Sequence, residues 1–258
     1  TATPTPLPTA TPVPTATPEP YTEVGGMISS DTTWSLANSP YLIQYTVQIP
    51  EGVTLSIEAG VTVKTDRGVG NSFLIHGNLF AEGTSNLIIT FDANGNNLFS
   101  GQSSDESMLV QVSYAHIKNG SSIWVAHGFA GYGALRLRNS TITDMTSFSY
   151  LWYPKQEMLI SQNVFNNSAG ISAGGSNISI VNNKFVSKSG TDYFIDLWNT
   201  VSKVEHNSFL DTGTAVRIQP GYFVYSTLPS IANNYWGTVN PTEIADKILD
   251  KNDDLTRG

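Results

Sequence analysis

Carboxylates beside basic residues are the groups in this sequence that could support catalysis. The second half of the chain holds a set of such candidates within one region: Asp192, Asp196, Glu205 and Asp211, with His206 and Arg217 close by. Hydrolysis of a glycosidic bond needs two carboxylates at a defined separation across the bond. The spacing does not single out such a pair, so whether the chain is an enzyme stays open. No catalytic residue is assigned.

Metal ligands are the second kind of residue that could carry chemistry. The chain has no Cys, and its four His lie at unrelated positions without a partner at metal-ligand spacing: His76, His116, His127 and His206. Asp250, Asn252 and Asp254 have the D-x-N-x-D spacing of a calcium loop, but Leu255 stands where such a loop needs Gly. We therefore assign neither a metal nor a cofactor.

The aromatic run SYLWYP contains the residues best suited to contact a ligand, namely Tyr150, Trp152 and Tyr153. Exposed aromatic side chains combine a large apolar surface with a polar tip, which suits them to contact glycans. The same run would also fit a loop packed against the body of the protein. Both interpretations are open at this point.

Charge and hydropathy exclude two classes of partner. The formal net charge is −8 and only 13% of residues are charged, so the basic surface that nucleic acid requires is missing. Apolar runs are only a few residues long, too short to predict a membrane-spanning helix. The chain begins at Thr1 without an apolar signal segment, so we expect a mature or trimmed product.

Residues 1–20 contain seven Pro and seven Thr. Because Pro fixes φ and lacks a backbone donor, this segment cannot form a helix or a central strand. We expect an extended polyproline II arm of roughly 60 Å, either a linker to an upstream domain or an element that lies along another subunit. The residues of this predicted assembly arm are Pro4, Pro6, Pro8, Pro12, Pro14, Pro18 and Pro20.

Short strands with period-two alternation must position all of these residues. From Tyr114 onward one pattern of apolar, polar and aromatic or β-branched residues recurs about every 24 residues, and its last position is occupied by Ile117, Ile142, Phe165, Phe185, Phe209 and Trp236. Each unit is one coil that cannot bury its apolar face alone. Stacked parallel coils are therefore predicted, with the four aromatic residues in an inward column.

Asparagine recurs two residues before these positions. The column contains Ser140 followed by Asn163, Asn183, Asn207 and Asn234. Asn tolerates the left-handed conformation, and its amide can bond to the coils on either side. The pattern predicts an asparagine ladder within a tight turn of each coil.

The two ends of this region resemble a known family. Residues 25–64 are similar to the opening, and residues 233–254 to the closing segment, of bacterial right-handed parallel β-helix repeat proteins. The resemblance implies the fold and an exported protein, extracellular or on the cell surface, without a shared reaction.

A capping helix is predicted over residues 241–250. Asn240 fits the cap position, Pro241 the first turn and Glu243 the third position after the cap. Ile244, Ile248 and Leu249 would share the face that covers the last coil.

We therefore predict an all-β protein: a single-stranded right-handed parallel β-helix over residues 21–258, of nine or ten coils, with a short C-terminal capping helix and the N-terminal arm of residues 1–20. The favoured function is a non-enzymatic extracellular structural protein, a surface-layer, sheath or filament subunit that self-assembles through the arm and the solenoid ends. The alternative is a surface-anchored module that binds polysaccharide or a cell-surface partner. A polysaccharide lyase or hydrolase is a third hypothesis.

Overall fold

Strands of two to nine residues follow one another along most of the chain that the structure describes. In this computed structural model the described residues are 20–101, 108–126, 133–200, 202–219, 229–250 and 253. They form an all-β parallel β-solenoid with three parallel sheets, which confirms the predicted fold class. The right-handed sense of the coil stays a prediction, based on the general preference of parallel crossovers.

One side of the coil is an eight-stranded parallel sheet. Each coil contributes one strand to this sheet, so neighbouring strands are adjacent in space although they are far apart in sequence. In spatial order they are β2 (Thr32–Trp34), β4 (Thr54–Ile57), β7 (Asn78–Glu82), β10 (Leu109–Ser113), β13 (Ala134–Arg138), β16 (Met158–Ser161), β19 (Ile178–Val181) and β22 (Lys203–Glu205).

The twelve-stranded sheet covers a second side and begins a third, because its longest strand, β3 (Tyr41–Ile49), spans the corner between them. One half of β3 starts the branch β5 (Thr62–Thr65), β8 (Ile89–Asp92), β11 (Ala115–Lys118), β14 (Thr141–Thr143), β17 (Val164–Asn166), β20 (Lys184–Phe185) and β23 (Ser208–Phe209). The other half starts the branch β6 (Asn71–Ile75), β9 (Asn97–Gly101) and β12 (Trp124–Ala126), and β1 (Thr22–Met27) pairs with both halves.

A five-stranded parallel sheet continues the third side, since its first strand contacts β12. Its strands are β15 (Ser149–Trp152), β18 (Ile171–Gly175), β21 (Ile195–Thr200), β24 (Val216–Gln219) and β25 (Ile248–Leu249). Inward side chains of this sheet, such as Leu151 and Leu197, are buried in the core. Its other face points away from the core and carries the candidate site.

The solenoid makes about seven turns, so the prediction of nine or ten coils is wrong. Coil length varies more than the mean repeat suggests: hydrogen-bonded residues of neighbouring coils are 20 positions apart at Asn163 and Asn183 but 31 apart at Asn78 and Leu109. In addition, β1 pairs beside β3 without adding a coil. Dividing the chain length by the repeat therefore overestimates the number of turns.

The predicted aromatic column is present in the core. Phe165, Phe185, Phe209 and Trp236 are all buried, and consecutive rings are stacked with centroids 4.8, 5.0 and 5.1 Å apart. The parallel strands repeat at about the same spacing, which is why one ring per coil forms a continuous stack. Face-to-face contact over three intervals holds the last four coils in register.

The asparagine ladder is also present. The Oδ1 atoms of Asn183, Asn207 and Asn234 each accept two hydrogen bonds from the asparagine of the preceding coil, one from its backbone N and one from its Nδ2, at 2.8 to 3.1 Å. Asn163 in turn accepts from the backbone N of Ser140 at 3.0 Å. Each ladder Nδ2 also donates to a backbone carbonyl, for example Asn183 to Ile160 at 2.8 Å. The ladder thus satisfies backbone groups that the turn would leave unpaired.

The left-handed residue of each turn is not the ladder residue, which corrects the sequence interpretation. Positive φ angles between 48° and 58° occur one position earlier, at Tyr114, Asn139, Gln162, Asn182, His206 and Asn233. This residue bends the chain from one sheet into the next, and the residue after it directs its side chain to the neighbouring coils. The sequence interpretation gave one Asn both the left-handed conformation and the ladder hydrogen bonds. In the structure, two consecutive residues provide them separately.

The C-terminal cap differs from the predicted helix of residues 241–250. Helix α1 covers only Pro241–Ala245, and its start is as predicted, because the Asn240 side chain accepts from the backbone N of Thr242 at 3.0 Å. The prediction is wrong beyond Ala245, since Ile248 and Leu249 form β25 and pair with β24. A strand satisfies the backbone groups at the edge of β24, and a helix cannot.

Candidate functional site

The outward face of the five-stranded sheet brings aromatic and polar residues from three coils together. Pairing aligns two outward rows across its strands: Tyr150, Ser172, Asp196, Arg217 and Leu249 in one, and Trp152, Gly174, Trp198 and Gln219 in the other. Residues of these rows together form the outer-face patch, which consists of Tyr150, Trp152, Asp196, Trp198, Arg217 and Gln219.

The aromatic rings of the patch meet edge to face. Tyr150 and Trp152 have centroids 5.8 Å apart at an interplanar angle of 90°, and Trp152 and Trp198 are 5.3 Å apart at 73°. Trp152 and Trp198 lie two strands apart, and Gly174 between them leaves room for this approach. A Cβ at Gly174 would lie 3.6 Å from Trp152 Cδ1 and 3.2 Å from the Trp198 carbonyl oxygen. Larger side chains at this position would therefore separate the rings.

A bidentate ion pair lies next to the rings. Arg217 donates from Nε and Nη2 to the two oxygens of Asp196, each at 2.9 Å, and Gln219 Nε2 donates to both oxygens at 2.8 Å. The Arg217 guanidinium also lies 4.0 Å from the centroid of the Tyr193 ring. Burial would lower the pKa of Arg217, but the hydrogen bonds and charge of Asp196 raise it above its usual value. The guanidinium is therefore fixed in place and charged.

The predicted glycan contacts lie partly within this patch. Tyr150, with 39% of its surface exposed, and the half-buried Trp152 belong to β15, so the run that one of the two interpretations took as a packed loop is largely a strand. Tyr153 follows the strand in a left-handed turn, with φ of 46°, and its backbone N donates to the Gly174 carbonyl at 2.8 Å. Whether any of the three contacts a glycan stays a prediction.

The patch is completed by Asp196, Trp198, Arg217 and Gln219, and the sequence did not predict that they lie beside Tyr150 and Trp152. A signal for part of it exists, since SYLW at 149–152 and IDLW at 195–198 share the Leu-Trp pair at the same strand positions. The last position of the repeat pattern, for example Phe185, lies in the twelve-stranded sheet. The pattern therefore did not predict how the strands of the five-stranded sheet align.

The carboxylates considered as catalytic candidates lie on different parts of the coil. Asp196 is on β21 of the five-stranded sheet, whereas Glu205 is on β22 of the eight-stranded sheet and accepts a hydrogen bond from Ser230 Oγ. Asp211 lies 3.3 Å from Lys188 Nζ and accepts from the Lys188 backbone N at 2.8 Å. Asp196 and Glu205 therefore do not form a pair across a common cleft.

The described residues contain no group of three or more His, Asp or Glu that could hold a metal ion. For the calcium spacing, only Asp250 can be placed, since Asn252 and Asp254 lie outside the described residues. His116 lies 3.0 Å from the Thr143 hydroxyl, and burial, followed by the charge of Lys118, lowers its pKa. Within the same described ranges, no helix has the length and apolar character needed to cross a bilayer.

The predicted assembly arm is outside the part of the chain that the structure describes, except for its last residue. Pro20 is exposed and lies two residues before the start of β1. The remaining residues of that prediction lie in the range 1–19, namely Pro4, Pro6, Pro8, Pro12, Pro14 and Pro18. A role of the arm in assembly stays a prediction.

Comparison with known proteins identifies no relative: no family model matches the chain, nor does any curated protein or solved structure. The resemblance of the two ends to bacterial β-helix repeat proteins is thus supported at the level of a parallel β-solenoid fold, without a family assignment.

Proposed function

We propose that this chain is a non-enzymatic, exported surface module that binds polysaccharide through the outer-face patch. The observation that carries the proposal is the combination, on one outward sheet face, of three aromatic side chains with a fixed Asp–Arg–Gln group. Nothing in the packing of the solenoid core requires these residues, because they point away from it.

The chemistry of the patch suits a sugar ring. A pyranose has apolar C–H faces and a rim of hydroxyl groups, so it needs an apolar platform and polar groups beside it. Tyr150, Trp152 and Trp198 supply the platform. Arg217 and Gln219 supply donors and an acceptor whose positions are set by Asp196.

A binding role fits Asp196 better than a catalytic one. A general acid or base must reach the proton that it transfers. Both oxygens of Asp196 already accept hydrogen bonds from Arg217 and Gln219, and the residue is only 6% exposed. Its role in the proposal is to hold the guanidinium and the amide in place.

The proposal also includes a location and a mode of assembly. An extracellular or cell-surface location is supported by the resemblance of residues 25–64 and 233–254 and by the Pro/Thr-rich segment. Self-assembly through that segment and the solenoid ends rests on the composition of residues 1–20.

Retention of the full chain by immobilised polysaccharides tests the binding proposal. Trp152→Ala and Tyr150→Ala are expected to weaken retention about 10-fold, because an aromatic contact contributes about 1.4 kcal/mol. Tyr45→Ala is the matched control, since Tyr45 is 73% exposed on β3, outside the five-stranded sheet. Thermal unfolding verifies that each variant is folded. Equal retention of all three variants and the wild type would contradict the proposal.

A further inference from the structure

We infer that the ligand of the outer-face patch is a neutral polysaccharide and not a polyanionic one; this inference rests on the proposed function. Its basis is the balance of charge at the patch and the hydrogen-bonding groups left over once the ion pair has formed.

Charge at the patch is compensated internally. Among the described residues of the two outward rows, Asp196 and Arg217 are the charged ones, and they neutralise each other through the bidentate contact at 2.9 Å. The rows therefore offer no uncompensated cation, which a carboxylated or sulfated polymer would need.

A further carboxylate lies near Arg217. Asp192 is exposed and close enough for its negative charge to favour the charged form of the guanidinium. Two carboxylates thus act on one guanidinium, so the sum of these three charges is negative, as is the net charge of the chain, −8. A polyanion approaching this surface is repelled at low salt.

The remaining hydrogen-bonding groups match hydroxyls. Arg217 has five N–H donors, of which two point to Asp196. Gln219 uses its amide nitrogen on Asp196, so its Oε1 is an acceptor facing away from that pair. The Tyr150 hydroxyl can donate or accept. Donors and acceptors side by side suit a sugar hydroxyl, which does both, whereas a carboxylate ligand only accepts.

Affinity electrophoresis of the full chain tests the inference with two sets of probes: neutral polysaccharides (hydroxyethylcellulose, arabinoxylan, galactomannan and dextran) and acidic ones (polygalacturonate, alginate and chondroitin sulfate). We expect at least one neutral polymer to retard the protein equally at low and high ionic strength. Trp152→Ala should weaken this retardation about 10-fold. The acidic polymers should cause none.

Charge variants sharpen the test. Asp192→Asn removes the exposed carboxylate, and Asp196→Asn removes the bidentate partner of Arg217. Both variants are expected to increase retardation by acidic polymers at low salt. Because Asp196 is buried, Asp192→Asn keeps the test valid if Asp196→Asn fails to fold.

The two hypotheses fail in different ways. If acidic polymers retard the wild type more than neutral ones, with loss at high salt and in Trp152→Ala, the inference is overturned and the proposed function stands. If neither class retards the protein, the proposed function fails and the inference with it.

Discussion

Truncation of the central ladder residue, Asn183→Ala, is the most direct test of how the coils are held together. The Asn183 side chain is buried and forms five hydrogen bonds. Its Oδ1 accepts from the backbone N and the Nδ2 of Asn163, both at 3.0 Å. Its Nδ2 donates to the carbonyls of Ile160 and Val181 and to Asn207 Oδ1, at 2.8 to 3.1 Å.

The expected loss follows from the groups that lose a partner. Truncation leaves the buried backbone N–H of Asn163 without its acceptor and removes a donor from the Ile160 carbonyl. Each unsatisfied buried group costs about 1–3 kcal/mol, so the free energy of unfolding should fall by about 2–6 kcal/mol. Asn234→Ala should cost less, because Asn234 at the end of the ladder is itself half-buried and water can replace part of its side chain.

Urea unfolding of the full chain, followed by circular dichroism, measures this loss. Hydrogen exchange at the Asn163 amide adds a local readout, since a solenoid can open in segments. The matched control is Asn182→Gly: Asn182 is exposed with φ of 58°, which Gly adopts freely, so the change should stay within about 0.5 kcal/mol. If Asn183→Ala were no more destabilising than this control and the Asn163 amide stayed protected, the ladder argument would be refuted.

Three further predictions concern the core, the acid range and the arm. Phe185→Ala removes the ring between Phe165 and Phe209 and should lower the free energy of unfolding by about 3–5 kcal/mol, with Phe185→Leu in between, by the same urea assay. Burial alone would raise the pKa of Asp211, but hydrogen bonds from Lys188 and the charge of Lys188 lower it below the usual value of 3.8. The ionised Asp211 therefore stabilises the folded state above pH 3.8, and this contribution is lost as the pH falls further. Acid unfolding should therefore be less steep in Asp211→Asn, and an unchanged profile contradicts this. Deletion of residues 1–20 should abolish filaments or sheets in electron micrographs, and persistent polymer would rule out the arm as the assembly element.

Much of the fold could be predicted because successive coils place the same residue types at the same positions. The aromatic column and the asparagine ladder depend on residues that recur at one position per coil, so their types and spacing were sufficient. The number of turns was not predictable in this way, because coil lengths differ and β1 pairs beside an existing strand. Likewise, β25 forms because an open sheet edge lies beside it, which no local pattern in residues 246–250 indicates.

For this protein the sequence by itself determined the parallel solenoid, its two internal columns and the aromatic character of Tyr150 and Trp152. Only the tertiary structure decided what those two residues meet. The other residues of the patch come from later coils of the chain. The shortest separation is 44 positions, from Trp152 to Asp196, and the longest is 69 positions, from Tyr150 to Gln219. Their meeting depends on strand register and on the small residue Gly174 between the rings. Register is a property of paired backbones, so it exists only once the coils are stacked.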